Sequence, residues 1–130
     1  MAQIAEDLFL LLLDNATAQP ALERDRRGRV LAAAVLLDLA FACRIRPAVP
    51  GDSVPAGKLI ALQSGGATDA VVEPAFQLLN QQPLSPSRAV ATVSRDVQEH
   101  VATHLERLGQ INRVRLPAKR FTATYAWPMT

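Results

Sequence analysis

The stretch RVLAAAVLLDLAFACRIRP, residues 29–47, decides the fold of this chain. Its apolar residues recur every three or four positions up to Cys43, which predicts a helix over about Arg29–Cys43. Asp38 is the only acid within that helix. The run Ile45-Arg46-Pro47 then breaks the helical pattern and favours a strand. We therefore expect a largely apolar helix that leads directly into a β-ribbon.

The segments on either side of this helix also fit a helical fold with short strands. AEDLFLLLLDNATAQP, residues 5–20, is a leucine-rich run that ends in polar residues, typical of a second buried helix. The fold class is therefore mostly α with short β-ribbons: a helical core plus a carboxy-terminal β-hairpin, as a single domain over residues 1–130. Three further helices are predicted: one at Ala2–Asp14, a short one capped by Thr68 or Asp69 and ending at about Gln82, and a long one at about Ser87–Leu108 with Gly109 as its stop. Two strand pairs are predicted as well: a ribbon of Arg44–Arg46 with Lys58–Leu62, and a hairpin of Ile111–Leu116 with Phe121–Trp127.

Composition limits the functional classes. The chain has 130 residues, 49% of them hydrophobic, which suits one domain with a Leu, Val and Ala core. Its 14 cations are 12 Arg and 2 Lys, and arginine is the residue suited to bidentate contact with phosphate. The six-residue run Leu8–Leu13 is too short to span a bilayer, and Met1–Ala5 lacks the cations of a signal peptide. We expect a cytoplasmic protein in which the single cysteine, Cys43, is a buried small hydrophobe.

The sequence contains little that indicates a catalytic or metal-binding site. His100 and His104 are four residues apart, but HVATH lacks the glutamate that follows the first histidine in the metalloprotease motif. No serine or cysteine stands in a recognisable nucleophile context. We therefore expect no enzyme activity and no cofactor.

Five segments in order resemble the Golgi phosphoprotein 3 family, whose members are peripheral membrane proteins that bind phosphatidylinositol 4-phosphate. The resemblance is to the amino-terminal half of the family domain, in a divergent, bacterial-type form. It implies a lipid-binding adaptor that associates with membranes from the cytoplasm, with anionic phospholipid head groups as partners. The segments are AEDLFLLLLDNATAQP (5–20), VLLDLAFACRI (35–45), ATDAVVEPAFQLL (67–79), SRDVQEHVATHLERLGQI (94–111) and Thr122–Pro128.

The resemblance also implies a head-group pocket, built from an aromatic residue and an arginine near the second helix and two arginines on the long helix. Arg95 matches one of these positions. The others fall on Gln98, Ala32 and Glu23, which departs from the family pattern. Arg29, one turn before Ala32, or Arg26 could project to the same place, and we expect both to contact lipid.

The predicted hairpin is basic at its tip. Leu116 and Phe121 could enter the membrane interface while the neighbouring cations meet anionic head groups. The lipid-contacting cations predicted here are Arg113, Arg115, Lys119 and Arg120.

Two other hypotheses about the function remain. A helical pair followed by a basic hairpin also outlines a winged-helix nucleic-acid-binding domain, although Asp96, Glu99 and Glu106 on the long helix disfavour DNA as a partner. The chain could instead be a lipid-independent interaction module that forms a homo-oligomer through its leucine-rich helices or hairpin edge.

Overall fold

The structure, a computed structural model, describes the backbone of residues 3–14, 19–20, 23–63, 69–111, 114–119 and 122–126. Side chains are described for residues 4–12, 23–63 and 69–111. The mostly helical class is confirmed, and short antiparallel strand pairs follow α1, α2 and α5. The elements are α1 (Gln3–Leu12), β1 (Leu13–Asp14), β2 (Gln19–Pro20), α2 (Arg24–Phe41), β3 (Ile45–Pro47), β4 (Leu59–Ala61), α3 (Glu73–Gln81), α4 (Pro86–Val93), α5 (Val97–Arg107), β5 (Val114–Lys119) and β6 (Thr122–Ala126).

Helix α2 is the centre of the hydrophobic core, with α1, α3, α4 and α5 packed around it. It begins at Arg24 rather than near Arg29, so the charged run before the apolar stretch is helical as well. That extension places the arginines at the start of α2 on a rigid element instead of a loop. Among the described residues, the largest fully buried side chains of the core are those of Phe9, Leu31, Leu39, Leu79, Leu105 and Ile111.

The single acid within the apolar part of α2 caps another helix. The Asp38 carboxylate accepts hydrogen bonds from the backbone N–H groups of Ile4 (2.9 Å) and Ala5 (3.0 Å) at the start of α1. A carboxylate there satisfies N–H groups that have no partner within the helix and complements the helix dipole. Burial raises the pKa of Asp38, while the two backbone N–H groups act against that rise.

Helix α2 ends in a Schellman motif, in which a residue in the left-handed conformation closes the helix. The Arg44 N–H donates to the Leu39 carbonyl (2.9 Å), and the Cys43 N–H donates to the Ala40 carbonyl (3.0 Å). Cys43 has a φ of 58° and is the only non-glycine residue with positive φ among those described. Its side chain is exposed, so the expectation of a buried cysteine was wrong.

The ribbon predicted after α2 is confirmed. Strands β3 and β4 are antiparallel, with Ile45 opposite Ala61 and Pro47 opposite Leu59. Backbone hydrogen bonds between Leu59 and Leu84 tie the ribbon to the segment before α4. The partly exposed Arg46 holds the connecting loop by a two-point contact with Asp52.

The prediction of a helical core completed by a carboxy-terminal hairpin is corrected in one respect. The hairpin that packs against α2 and α3 lies mid-chain, at residues 45–61, because Ile45 is buried and the proline- and glycine-rich loop turns the chain back onto the core. Nearer the carboxyl end, the backbones of β5 and β6 also pair antiparallel, with Val114 opposite Ala126 and a register shift between Leu116 and Lys119.

The predicted long helix over Ser87–Leu108 is two helices. Ser85 caps α4 through its hydroxyl oxygen, which accepts from the Arg88 N–H (3.4 Å), and Gly109 closes α5 with a φ of 75°. Between them, residues 94–96 form a turn. The Ser94 hydroxyl donates to the Ala91 carbonyl (2.8 Å), a side-chain bond of the kind that bends helices. The turn allows the start of α2 to lie against it.

Candidate functional site

A mostly buried arginine links the start of α2 to the start of α5. The Arg27 side chain is only 8% exposed, and its Nε donates a hydrogen bond of 2.8 Å to Oε1 of Gln98. These residues are 71 positions apart in sequence, so the contact depends on the fold. Gln98 is one of the positions where the family resemblance implies an arginine, and here an arginine from α2 reaches it instead.

A glycine beside Arg27 permits this approach. A Cβ atom at residue 28 would lie 2.8 Å from the Ser94 carbonyl oxygen, closer than Cβ atoms are found in proteins. Only glycine therefore allows α2 to lie against the turn between α4 and α5. That turn also carries Arg95, whose side chain is exposed.

Two helix amino ends meet at this place. α2 begins at Arg24 and α5 at Val97, and neither of the residues before them, Glu23 and Asp96, caps its helix through a side-chain hydrogen bond. The first N–H groups of a helix have no partner within it and carry partial positive charge. We call this region the arginine junction and define it as Arg24, Arg27, Gly28, Ser94, Arg95 and Gln98.

Burial and a neighbouring cation both act on Arg27 in the arginine junction. Burial lowers the pKa of Arg27, and the positive charge of Arg24 lowers it further. The charged form of Arg27 is therefore less stable there than in water. A phosphate monoester would offset that cost, because it carries negative charge and its oxygens accept hydrogen bonds. Helix amino ends are common binding sites for such groups.

The structure places the helix residues that the sequence singled out in different environments. Arg95 lies in the junction. Arg26 is largely exposed and pairs with Glu23 at 3.4 Å, and Arg29 is exposed on α2. Ala32 is completely buried in the core. Lipid contact by Arg26, Arg29 and Arg95 stays a prediction.

Arg27 was missed by the sequence reasoning, which compared linear spacing and selected its neighbours. A signal was available in Gly28. A glycine inside a helical pattern often marks a close approach of another backbone, and the residue beside it then lies near that second element.

The hairpin residues fall largely outside the described part of the chain. Arg113, Arg120 and Phe121 lie outside the described residues. For Arg115, Leu116 and Lys119 the structure gives only the backbone of β5, with Arg115 opposite Tyr125, Leu116 opposite Thr124 and Lys119 opposite Thr122. Their contact with lipid or membrane stays a prediction, as does the winged-helix alternative that relied on the same hairpin.

The histidine pair has a structural contact. His104 Nε2 lies 3.3 Å from a carboxylate oxygen of Glu6, so it joins α5 to α1. Burial raises the pKa of Glu6, and the nearby His104 acts against that rise. Across the described side chains, no cluster of three histidine, cysteine or acidic residues has a geometry that could hold a metal ion. Among the described helices, none has the length and apolar character needed to cross a membrane.

Comparison with known proteins gives the family. The model of the family described as Golgi phosphoprotein 3 (GPP34) matches residues 4–130. A search of the curated proteins found no match. The match includes every helix but the first residue of α1, and it contains the whole arginine junction. The chain belongs to the Golgi phosphoprotein 3 (GPP34) family.

Proposed function

We propose that this chain binds the phosphorylated head groups of anionic lipids at the arginine junction, and so associates reversibly with membrane surfaces. Membership of the Golgi phosphoprotein 3 family is consistent with phosphatidylinositol 4-phosphate as the ligand. The observation that carries the proposal is the Arg27–Gln98 hydrogen bond, since it holds a buried guanidinium where two helix amino ends meet.

The chemistry of the junction fits a phosphate monoester. Such a group carries more than one negative charge and several acceptor oxygens, so it is best held by several donors at fixed positions. Arg27 is positioned by Gln98, and Arg95 and Arg24 supply exposed cations at the rim. The backbone N–H groups at the start of α2 and α5 supply further hydrogen-bond donors, and no side chain has to be ordered to place them.

Gln98 changes how the pocket is organised compared with the pattern implied by the family. A second arginine on α5 would add charge but would also repel Arg27. Gln98 instead accepts a hydrogen bond from Arg27 and fixes its direction. The proposed pocket therefore uses Arg24 and Arg27 of α2 together with Arg95 of the turn before α5.

Liposome co-sedimentation tests the proposal. The vesicles are neutral, or contain phosphatidylserine, or contain phosphatidylinositol 4-phosphate at matched total charge, each at low and at physiological salt. We expect the phosphoinositide vesicles to bind most of the chain at physiological salt. Arg95→Ala should weaken that binding about tenfold, the usual effect of losing one charge-assisted hydrogen bond.

Two further variants complete the test. Arg27→Lys keeps the charge but loses the planar fork, and it should also weaken phosphoinositide binding. Arg107→Ala removes an exposed arginine at the far end of α5 and serves as the matched control, with binding unchanged. Equal binding to both acidic vesicles would mean a basic surface without head-group recognition. Binding to none of them would overturn the proposal.

A further inference from the structure

A partly buried ion pair joins α1 to α5. The Glu6 carboxylate of α1 lies 3.3 Å from Nε2 of His104 in α5, and the two side chains are only 19% and 22% exposed. Helix α1 packs mainly against α2 and α5. The pair therefore fastens α1 to one of its two main neighbours, at a place where water screens the charges only in part.

Negative charge exceeds positive charge around this pair. Burial has the largest influence on the pKa of Glu6 and raises it, His104 lowers it, and Asp69 and Asp38 raise it further. The chain's amino terminus also lowers the pKa of Glu6. Three carboxylates, from α1, α2 and the segment before α3, therefore act on one another where α5 supplies a histidine.

The strength of this contact depends on the charge of the imidazole. Histidine is the side chain whose charge ordinarily changes between about pH 5 and 8. While His104 is protonated, its charge balances the Glu6 carboxylate. A neutral imidazole can still donate a hydrogen bond, but it leaves the charge of Glu6 unbalanced. The described contacts of Glu6 include no ion pair with His100 or Arg107, which lie one turn before and about one turn after His104 on α5.

We propose that protonation of His104 controls the docking of α1, which is held firmly on α5 in mildly acidic solution and opens more readily as the pH rises past neutrality. Glu6 acts in the same direction. Because folding raises its pKa above the ordinary value of 4.5, its contribution to stability is also lost as the pH rises above that value. The inference does not depend on lipid binding, since Glu6 and His104 are not part of the arginine junction.

A double-mutant cycle tests the contact. The unmodified chain is compared with Glu6→Gln, His104→Gln and the double variant, and urea denaturation at about pH 6 and about pH 8.5 gives the unfolding equilibrium constant of each. We expect the coupling between the two residues to be about fivefold at the lower pH and less than about twofold at the higher pH, as for a partly exposed ion pair. Asp38, Asp69 and the amino terminus are present in all four chains, so their own titration cancels in the comparison.

Amide hydrogen exchange shows where the contact acts. After correction for the intrinsic exchange rate, the α1 amides should lose about threefold of their protection relative to α2 between these two pH values. His104→Gln should remove most of this loss, whereas His100→Gln, the matched control one turn earlier on α5, should keep it. A coupling that is equal at both pH values, or absent at both, would overturn the proposal. So would α1 protection that does not change with pH, or an equal effect of His100→Gln.

Discussion

Cys43 illustrates how one residue can carry strain at a helix end. Its φ of 58° is the left-handed conformation, which costs a residue with a Cβ atom about 1–2 kcal/mol and costs glycine almost nothing. Because its side chain is exposed, little packing would be lost by replacing it. The glycine would also gain freedom in the unfolded chain, which offsets part of the benefit.

Cys43→Gly should therefore raise the free energy of unfolding by about 0.5–1 kcal/mol, measured by urea denaturation. Cys43→Ala is the control, since it removes the thiol but keeps the strained conformation, and its stability should change little. A less stable glycine variant would contradict the role of backbone strain at this position.

The Arg46–Asp52 pair gives a prediction about pH. The Arg46 guanidinium, at 2.9 Å, and the Val49 N–H lower the pKa of Asp52 from 3.8 to about 2. An acid whose pKa is lowered by folding stabilises the fold above its unfolded pKa. That contribution is lost as the pH falls from about 4 to about 2.

Carboxyl chemical shifts recorded by NMR should show Asp52 titrating near 2 in the unmodified chain. In Arg46→Gln the pKa should rise toward its ordinary value, because the strongest favourable contact is gone. Arg88→Gln, at an exposed arginine of α4, should leave the Asp52 pKa unchanged. A titration near 4 in the unmodified chain would refute the pairing.

At the scale of elements, the contact between α2 and the turn before α5 depends on Gly28. Gly28→Ala would gain about 1 kcal/mol of helix propensity if the site were open. Here the new methyl group meets the Ser94 carbonyl, which belongs to the backbone and cannot turn aside. We expect a net loss of stability of about 1–2 kcal/mol, the usual cost of overpacking less the gain in propensity.

Thermal unfolding measures this effect. Arg29→Ala, at the exposed neighbouring position, should stay within about 0.5 kcal/mol of the unmodified chain. If Gly28→Ala instead stabilised the protein, α2 and the turn could not approach as closely as the structure places them.

Elements defined by local patterns could be predicted from the sequence, and those that depend on tertiary contacts could not. The Gly109 stop and the ribbon after Arg44 follow from local chemistry, and the structure has both. The break at residues 94–96 was not predicted, since the valine spacing of α4 continues into α5. The close contact between Gly28 and Ser94 is made at that break.

At the scale of the whole molecule, the family could be recognised from the order of its segments, because that order extends over the whole chain. The candidate site was only partly predictable. Arg95 follows from the motif that contains it, whereas Arg27 and Gln98 meet only after residues far apart in sequence have packed together. Linear spacing cannot identify such a pair, because a helix wheel shows which side a residue faces but not what lies there.

The contact between Asp38 and the start of α1 has a consequence for the order of folding. Most helices carry their own cap just before the first turn, so they can begin to form alone. The described amino end of α1 is instead satisfied by a carboxylate more than thirty residues later in the chain. The cap of α1 is therefore available only when α2 has formed and docked, and we expect α1 to gain its full stability after α2.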